Sequence, residues 1–172
     1  MRVPQTIYYL ELVPLSEFIT AKKPMFKVQL RQVKIPCPAY NRFFYETIGV
    51  DWYWTDRRQW SNEDWQKYVN RACLETWVAY TGGNPAGYYE IEKQAEHTVE
   101  IVQLGVMPQF TRKGLGAYLL THAIHRAGNL RARRVWLHTC SHDDPAALQL
   151  YQKHGFRIYH QEVIEKEFFN EK

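Results

Sequence analysis

Two closely spaced glycines near the middle of the chain follow a pair of basic residues. They lie in the segment VMPQFTRKGLGAYLL, where Gly114 and Gly116 begin an apolar helical pattern. The first N–H groups of a helix have no intrahelical acceptor, and the helix dipole adds partial positive charge there. Because glycine has no Cβ, a diphosphate can approach these donors closely. The pattern predicts an anion site on the backbone of residues 112–117, with Arg112 and Lys113 at its rim. A loop that merely turns the chain is the alternative.

This glycine-containing loop lacks the spacing of two common nucleotide-binding motifs. The P-loop pattern GxxxxGK[ST] is absent, and the dinucleotide pattern GxGxxG is not completed after Gly116. The histidines also lack a closed set of metal ligands, so we expect no metal. The histidines considered are His122, His125, His138, His142 and His154.

A second pattern, DPAALQLYQKHGF, begins at Asp144 and ends at Phe156. The two segments resemble motif A, [QR]-x-x-G-x-[GA], and motif B, N-x-x-A-x-x-x-Y-x-x-x-G-F, of the GNAT superfamily of acyl-CoA-dependent N-acetyltransferases. The resemblance is clearest from about Leu74 to the C-terminus. Thr111 replaces the first residue of motif A, which changes one side chain of the loop but leaves its backbone donors. Asp144 replaces the motif B asparagine and is a good helix N-cap, so we transfer no cofactor contact to it.

The resemblance implies acetyl-CoA as cosubstrate and a set of residues that hold it. Tyr151 stands at the motif B tyrosine, which commonly protonates the coenzyme A sulfur in such relatives; a packed aromatic on an amphipathic helix is the alternative. Backbone groups near Gly105 and Val106 are implied to pair with pantetheine and to polarise the thioester carbonyl. The implied cofactor-binding residues are Leu104, Val106, Thr111, Arg112, Lys113, Gly114, Leu115, Gly116, Ala117 and Tyr151.

The general base has several candidates. Glu100 matches the position where some protein-acetylating members of the family carry a glutamate base, so we name it with Tyr151 as a candidate catalytic residue. The alternative is that Glu100 is an outward-facing strand residue. His138 and His142 near the end of the following strand are other candidates, and a base acting through water, or no dedicated base, also fits the resemblance.

Aromatic residues are dense between positions 45 and 65, a region that the resemblance places beside the acceptor. We predict that Trp52, Trp54 and Asp51 bind the acceptor, because rings hold a cationic amine by cation–π contact and Asp51 and Asp56 add charge pairing. The alternative is that the rings pack the helices and cover the sheet edge. The predicted reaction is acetyl transfer from acetyl-CoA to a primary amine of a small-molecule or amino-acid-like acceptor. A protein or peptide acceptor, or a non-catalytic acyl-CoA sensor, are the alternatives.

Composition indicates a single globular domain. A chain of 172 residues with 45% hydrophobic and 23% charged residues can form one N-acetyltransferase domain over residues 1–172. The net charge of +4 suits a phosphate-bearing partner without requiring nucleic acid. No apolar run is long enough for a transmembrane helix, and three cysteines without a CxxC pair favour reduced thiols. We expect a cytoplasmic protein that binds neither nucleic acid nor membrane, and the sequence is compatible with a homodimer.

Apolar periodicity and turn residues define the elements that must position these groups. We predict strands over residues 5–13, 26–35, 74–80, 86–93, 99–106, 134–139 and 156–168. We predict helices over residues 39–50, from Ser61, over residues 114–128 and from Asp144 to Gly155. This order indicates an α+β (mixed α/β) fold. With the resemblance it predicts a GNAT-like, mostly antiparallel twisted sheet of six to seven strands, flanked by about four helices and splayed between the strands before and after the motif A helix.

Overall fold

The computed structural model of the protein describes residues 2–167, whose strands form one seven-stranded sheet. The strand order is β2-β3-β4-β5-β6-β1-β7, and every neighbouring pair is antiparallel except the parallel pair β5–β6. The predicted mostly antiparallel α+β architecture is therefore confirmed. The strands are β1 (Arg2–Leu12), β2 (Gln29–Gln32), β3 (Leu74–Thr81), β4 (Asn84–Gln94), β5 (Thr98–Val106), β6 (Arg134–Cys140) and β7 (Arg157–Glu167).

Four α-helices flank this sheet, and two of them begin at the predicted caps. The Ser61 side chain accepts from the Asp64 N–H while the Asp64 carboxylate accepts from the Ser61 N–H, so a capping box starts the second helix. The Asp144 carboxylate accepts from the Ala146 N–H at the start of the fourth. The helices are α1 (Pro38–Gly49), α2 (Asn62–Val69), α3 (Leu115–Asn129) and α4 (Pro145–Lys153).

One predicted strand is much shorter in the structure, and the predicted end of another lies outside the described residues. The strand predicted over residues 26–35 is reduced to the four residues of β2. Phe26 instead packs against Phe110, with ring centroids 6.1 Å apart, so the chain stays outside the sheet until β2 begins. The last predicted strand is confirmed as β7, and its predicted final residue, Phe168, lies outside the described residues.

The first strand of the chain lies between the last two strands of the sheet. β1 pairs antiparallel with β6 on one side and with β7 on the other, so that Tyr9 is opposite both His138 and His160. Residues near the two ends of the chain therefore share one face of the sheet, because directly opposed strand residues point the same way.

Apolar side chains bury both faces of the central strands. On one face Leu119 and Ala123 of α3 belong to a core that includes Leu10 of β1 and Leu137 of β6. On the other face Phe44 and Ile48 of α1 pack with Val78 and Tyr88. The sheet is thus a layer between α1 on one side and α3 on the other. Within residues 2–167, no helix has the length and apolar character needed to cross a bilayer.

Candidate active site

A cleft opens where β5 and β6 separate. The two strands pair only through Thr98, Val99 and Glu100 of β5, and beyond these residues they diverge. The space between them is a cavity of about 1320 Å³, lined by the diverging strands, the start of α3, the helix α4 and the loop after α1. The predicted splay on either side of the glycine-containing helix is confirmed.

The diverging part of β5 presents backbone donors to this cleft. The Met107 N–H donates to the Ala86 carbonyl of β4 at 2.8 Å. Since successive residues of a strand direct their backbone groups to opposite edges, the N–H groups of Leu104 and Val106 face away from β4. That edge is where β6 has already separated, so both groups point into the cleft.

The N-terminus of α3 forms a second group of backbone donors. Gly114 adopts the left-handed conformation, with φ of 83°, and no side chain of the described residues caps the helix. The first bond of the helix runs from the Tyr118 N–H to the Gly114 carbonyl, and within residues 2–167 the N–H groups of residues 115–117 have no protein acceptor. A Cβ on Gly116 would lie 3.7 Å from the nearest side-chain atom, which is ordinary contact. The protein therefore leaves room for a Cβ at Gly116. Because glycine has no Cβ, the cleft is wider beside these donors.

Of the two basic residues of the loop, one lines the cleft and the other does not. Arg112 lines the cleft, as does Lys153 at the end of α4, which the sequence interpretation missed. Lys113 lies outside the cleft walls, where its Nζ donates to the Gln109 carbonyl at 3.4 Å. The Thr111 hydroxyl donates to the Pro108 carbonyl at 3.1 Å and so supports the turn. The predicted residues that line the cleft are Leu104, Val106, Thr111, Arg112, Gly114, Leu115, Gly116, Ala117, Tyr151, Trp52 and Trp54.

Tyr151 of α4 lines the same cleft. Its side chain is almost buried and packs edge-on against Phe156, with ring centroids 6.1 Å apart. Burial, followed by the carboxylates of Asp143 and Asp144, raises the pKa of Tyr151 well above its usual value. The phenol is therefore protonated at neutral pH and available as a proton donor.

Glu100 and Asp51 do not line the cleft. Glu100 lies where β5 and β6 are still paired, and its Oε2 accepts from Gln94 Nε2 at 2.9 Å. Burial and the neighbouring Glu92 carboxylate raise the pKa of Glu100 to about 7. Asp51 belongs to a short 3-10 turn and is exposed. The geometry brings neither carboxylate to the cleft walls.

His138 of β6 lines the cleft, whereas His142 does not. The His138 ring is exposed to the cleft and lies 5.9 Å from the Tyr9 ring, centroid to centroid. The surrounding walls desolvate the imidazole, and this lowers the pKa of His138 below its usual value. A neutral imidazole can accept a proton, so His138 is the histidine placed for that role.

Trp54 joins the two sides of the cleft. Its Nε1 donates to Asp143 Oδ1 at 3.1 Å, and Asp143 is held in turn by the Thr139 hydroxyl at 2.7 Å. The far edge of the indole lies against β5, where a Cβ on Gly105 would be 3.2 Å from Trp54 Cη2. The ring therefore spans the gap above the point where the strands diverge.

A second group of aromatic residues encloses a charge of the protein itself. The rings of Tyr45, Trp60, Trp65 and Tyr68 have centroids 4.1–5.8 Å from Arg57 Cζ. The guanidinium also pairs with the buried Glu90 carboxylate at 3.1 Å. Part of the aromatic density of this region is thus structural. A charged Glu90 within the apolar run of β4 was the sequence signal for this buried pair, and the sequence interpretation did not use it.

Comparisons with known proteins find similarity to acetyltransferases. Residues 37–156, more than half of the chain, match the model of the Acetyltransferase (GNAT) family. Over 103 residues the chain is 36% identical to the uncharacterized N-acetyltransferase YvbK of Bacillus subtilis (strain 168), and the match covers 60% of this chain and 63% of that protein. The chain therefore spans slightly less than two thirds of that relative.

Two solved structures share both fold and detectable sequence. The IAA acetyltransferase from Bacillus cereus ATCC 14579 has 26% identity and a TM-score of 0.59, covering 78% of this chain and 79% of that chain. A Bacillus subtilis acetyltransferase in complex with CoA has 26% identity and a TM-score of 0.58, with the same coverage of 78% and 79%.

Proposed function

The chain belongs to the GNAT acetyltransferase family, and from this we propose that it transfers an acetyl group from acetyl-CoA to a primary amine of a small, amino-acid-like molecule. One observation carries the proposal: two sets of unpaired backbone donors, on β5 and at the start of α3, open into one cleft together with the Tyr151 phenol. The relative solved with CoA and the neighbour named for IAA support the cosubstrate and a small acceptor.

The cleft fits the charges and shape of acetyl-CoA. The uncapped start of α3 offers the N–H groups of residues 115–117 to a diphosphate, and Arg112 and Lys153 add positive charge. The free edge of β5 suits an extended pantetheine arm, which carries amides that can pair with a strand edge. We therefore assign Leu104, Val106 and the α3 N-terminus to cosubstrate binding.

Bound acetyl-CoA would supply an acetyl thioester whose C–S bond breaks as the new C–N bond forms. The N–H groups of Leu104 and Val106 would donate to the carbonyl oxygen, where negative charge grows during attack. Tyr151 would donate its proton to the departing sulfur, and His138 would accept the proton that the amine loses. Tyr151 thus gives one proton and His138 takes one, so the protons of the reaction balance. Glu100 has no part in this scheme because it lies outside the walls.

The acceptor would enter from the side of the α1–α2 loop. Trp52 and Trp54 line the cleft there, and Asp56 of the same loop pairs with Lys166 of β7 at 2.9 Å. These groups would surround an amine before it reaches the thioester. Asp51 is not assigned to this wall.

Binding and turnover together test the proposal. We expect heat from acetyl-CoA binding in calorimetry, and thiol release when small primary amines are added. In Tyr151→Phe the turnover number should fall by about 10²-fold while acetyl-CoA affinity changes little, because general acid catalysis contributes about 10²–10⁴-fold.

The alternatives have distinct outcomes in the same assays. Thiol release with peptides alone would indicate a peptide acceptor. Binding of acetyl-CoA without turnover of any amine would indicate a sensor. Absence of acetyl-CoA binding by the folded protein would refute the proposal.

A further inference from the structure

A group of rings lies on the open face of the sheet beside the cleft. Tyr9 of β1 is directly opposite His138 of β6 and His160 of β7. Its ring centroid lies 5.9 Å from that of His138, 5.4 Å from that of His160 and 6.5 Å from that of Trp136. We call these four residues, Tyr9, Trp136, His138 and His160, the aromatic floor.

The aromatic floor is accessible, whereas the opposite face of the same strands is buried. Leu10 and Leu137 point to that opposite face and are fully or almost fully buried in the core with α3. On the floor itself, His138 and His160 are exposed and Tyr9 is half-buried. Contiguous rings of this kind, at the edge of a cleft, are a surface on which a flat group can lie.

The floor is continuous with the proposed reaction centre. His138 belongs both to the floor and to the cleft walls, and Ile7, on the same face of β1, also lines the cleft. A ligand whose reactive nitrogen meets His138 would therefore extend over Tyr9 toward β7. This direction leads away from the α3 N-terminus and from the groups assigned to acetyl-CoA.

Hydrogen bonds at its edges hold the rings of the floor in place. The Tyr9 hydroxyl donates to Glu162 Oε1 at 2.6 Å, and the Trp136 Nε1 donates to Gln94 Oε1 at 2.9 Å. Fixed rings bind a flat partner with little further loss of side-chain freedom. The exposed Glu162 carboxylate at the far side disfavours an acceptor that ends in an anion.

We propose that the aromatic floor determines acceptor specificity and that the acceptor is a primary amine joined by a short alkyl spacer to an aromatic ring. The amine lies beside His138, and its ring rests on Tyr9 and His160. This inference rests on the proposed function, since it names the substrate class of the same site.

Steady-state kinetics with paired amines test the assignment. The assay would compare 2-phenylethylamine and tryptamine with aliphatic amines of similar length, by thiol release at saturating acetyl-CoA. The wild type should favour the aromatic amines in kcat/KM by about tenfold, the ratio that corresponds to roughly 1.4 kcal/mol of ring contact. Tyr9→Ala should raise KM for the aromatic amines by a similar factor, with little change in kcat and none in KM for the aliphatic amines.

Matched variants separate ring contact from other effects. Tyr9→Phe keeps the ring and loses the bond to Glu162, so it should keep the aromatic preference. Phe43→Ala removes a ring that is 41% exposed on α1, away from the cleft, and should leave the preference unchanged. If Tyr9→Ala fails to fold, His160→Ala on the exposed strand β7 should also raise KM for the aromatic amines, by a smaller factor.

Three outcomes would overturn the inference. Equal kcat/KM for aromatic and aliphatic amines, unchanged in Tyr9→Ala, refutes the floor but leaves the proposed function intact. If sedimentation shows the wild type as a dimer and Tyr9→Ala as a monomer, with the aromatic preference unaltered, this face is assigned to contact between copies instead. Absence of turnover with every amine refutes the proposed function itself.

Discussion

Replacing Glu90 by Gln removes the negative charge that faces Arg57 inside the protein. The Arg57 and Glu90 side chains are 9% and 0% exposed, and Arg57 Nη1 lies 3.1 Å from Glu90 Oε2. Glu90 also accepts from Asn41 Nδ2 at 2.9 Å and from the Tyr68 hydroxyl. Burial alone lowers the pKa of Arg57, but the Glu90 carboxylate outweighs it, so the net shift is upward. In Glu90→Gln the guanidinium stays charged and buried without a counter-ion.

The expected cost is large because the remaining charge cannot reach water. Breaking a buried ion pair by removing one partner destabilises a protein by about 3–5 kcal/mol. We expect the lower end, about 3 kcal/mol, since a glutamine oxygen can still accept one hydrogen bond and the four rings around Arg57 remain. For a chain of this length that loss corresponds to a fall in Tm of about 6–12 °C.

Urea unfolding and thermal scans measure this loss, and an exposed ion pair supplies the control. Glu63 and Lys67 are 2.8 Å apart on α2 with side chains 76% and 70% exposed. Glu63→Gln removes the same charge there and should cost only about 0.3–0.5 kcal/mol.

The same variant should alter acceptor binding more than cosubstrate binding. Arg57 anchors the loop that carries Trp54, since its backbone N–H also donates to the Tyr45 hydroxyl at 3.1 Å. The proposed acetyl-CoA site is built on β5 and α3 instead. A Glu90→Gln protein as stable as Glu63→Gln, with unchanged acceptor KM, would show that the buried pair neither supports the fold nor positions the loop.

Two further substitutions have expected outcomes. Gly116→Ala should stabilise α3 by roughly 0.5–1 kcal/mol and leave acetyl-CoA binding in calorimetry little changed, because its Cβ would meet only ordinary contacts at 3.7 Å and motif A accepts alanine at this position. Gly128→Ala on the same helix should stabilise equally, and a large loss of acetyl-CoA affinity in Gly116→Ala alone would contradict this reasoning. The folded-state pKa of Glu100, about 7, exceeds the unfolded value of about 4.3, so the contribution of this group to stability is fully present below pH 4.3 and is lost as pH rises through 7. Glu100→Gln should therefore raise Tm by a few degrees relative to wild type at pH 8, and equal Tm differences at pH 5 and pH 8 would contradict this reasoning.

Local features of the sequence determined the elements and the cosubstrate side of the proposed site. Ser61 and Asp144 cap their helices because each side chain bonds to a backbone N–H a few residues away. The glycines before α3 and the tyrosine of α4 stand at positions that motif spacing identifies. Such interactions act between near neighbours in the chain, so residue type and spacing suffice to predict them.

Tertiary structure alone decided which side chains share the proposed acceptor side. β1 lies between β6 and β7, which brings Tyr9 to His138 and His160 from the opposite end of the chain. Arg57 fills an aromatic enclosure, and Glu100 stays at the paired end of β5, outside the cleft. These placements depend on strand order and on where β5 and β6 separate. Both follow from the free energy of burying the whole core, a sum over distant contacts that no local pattern contains.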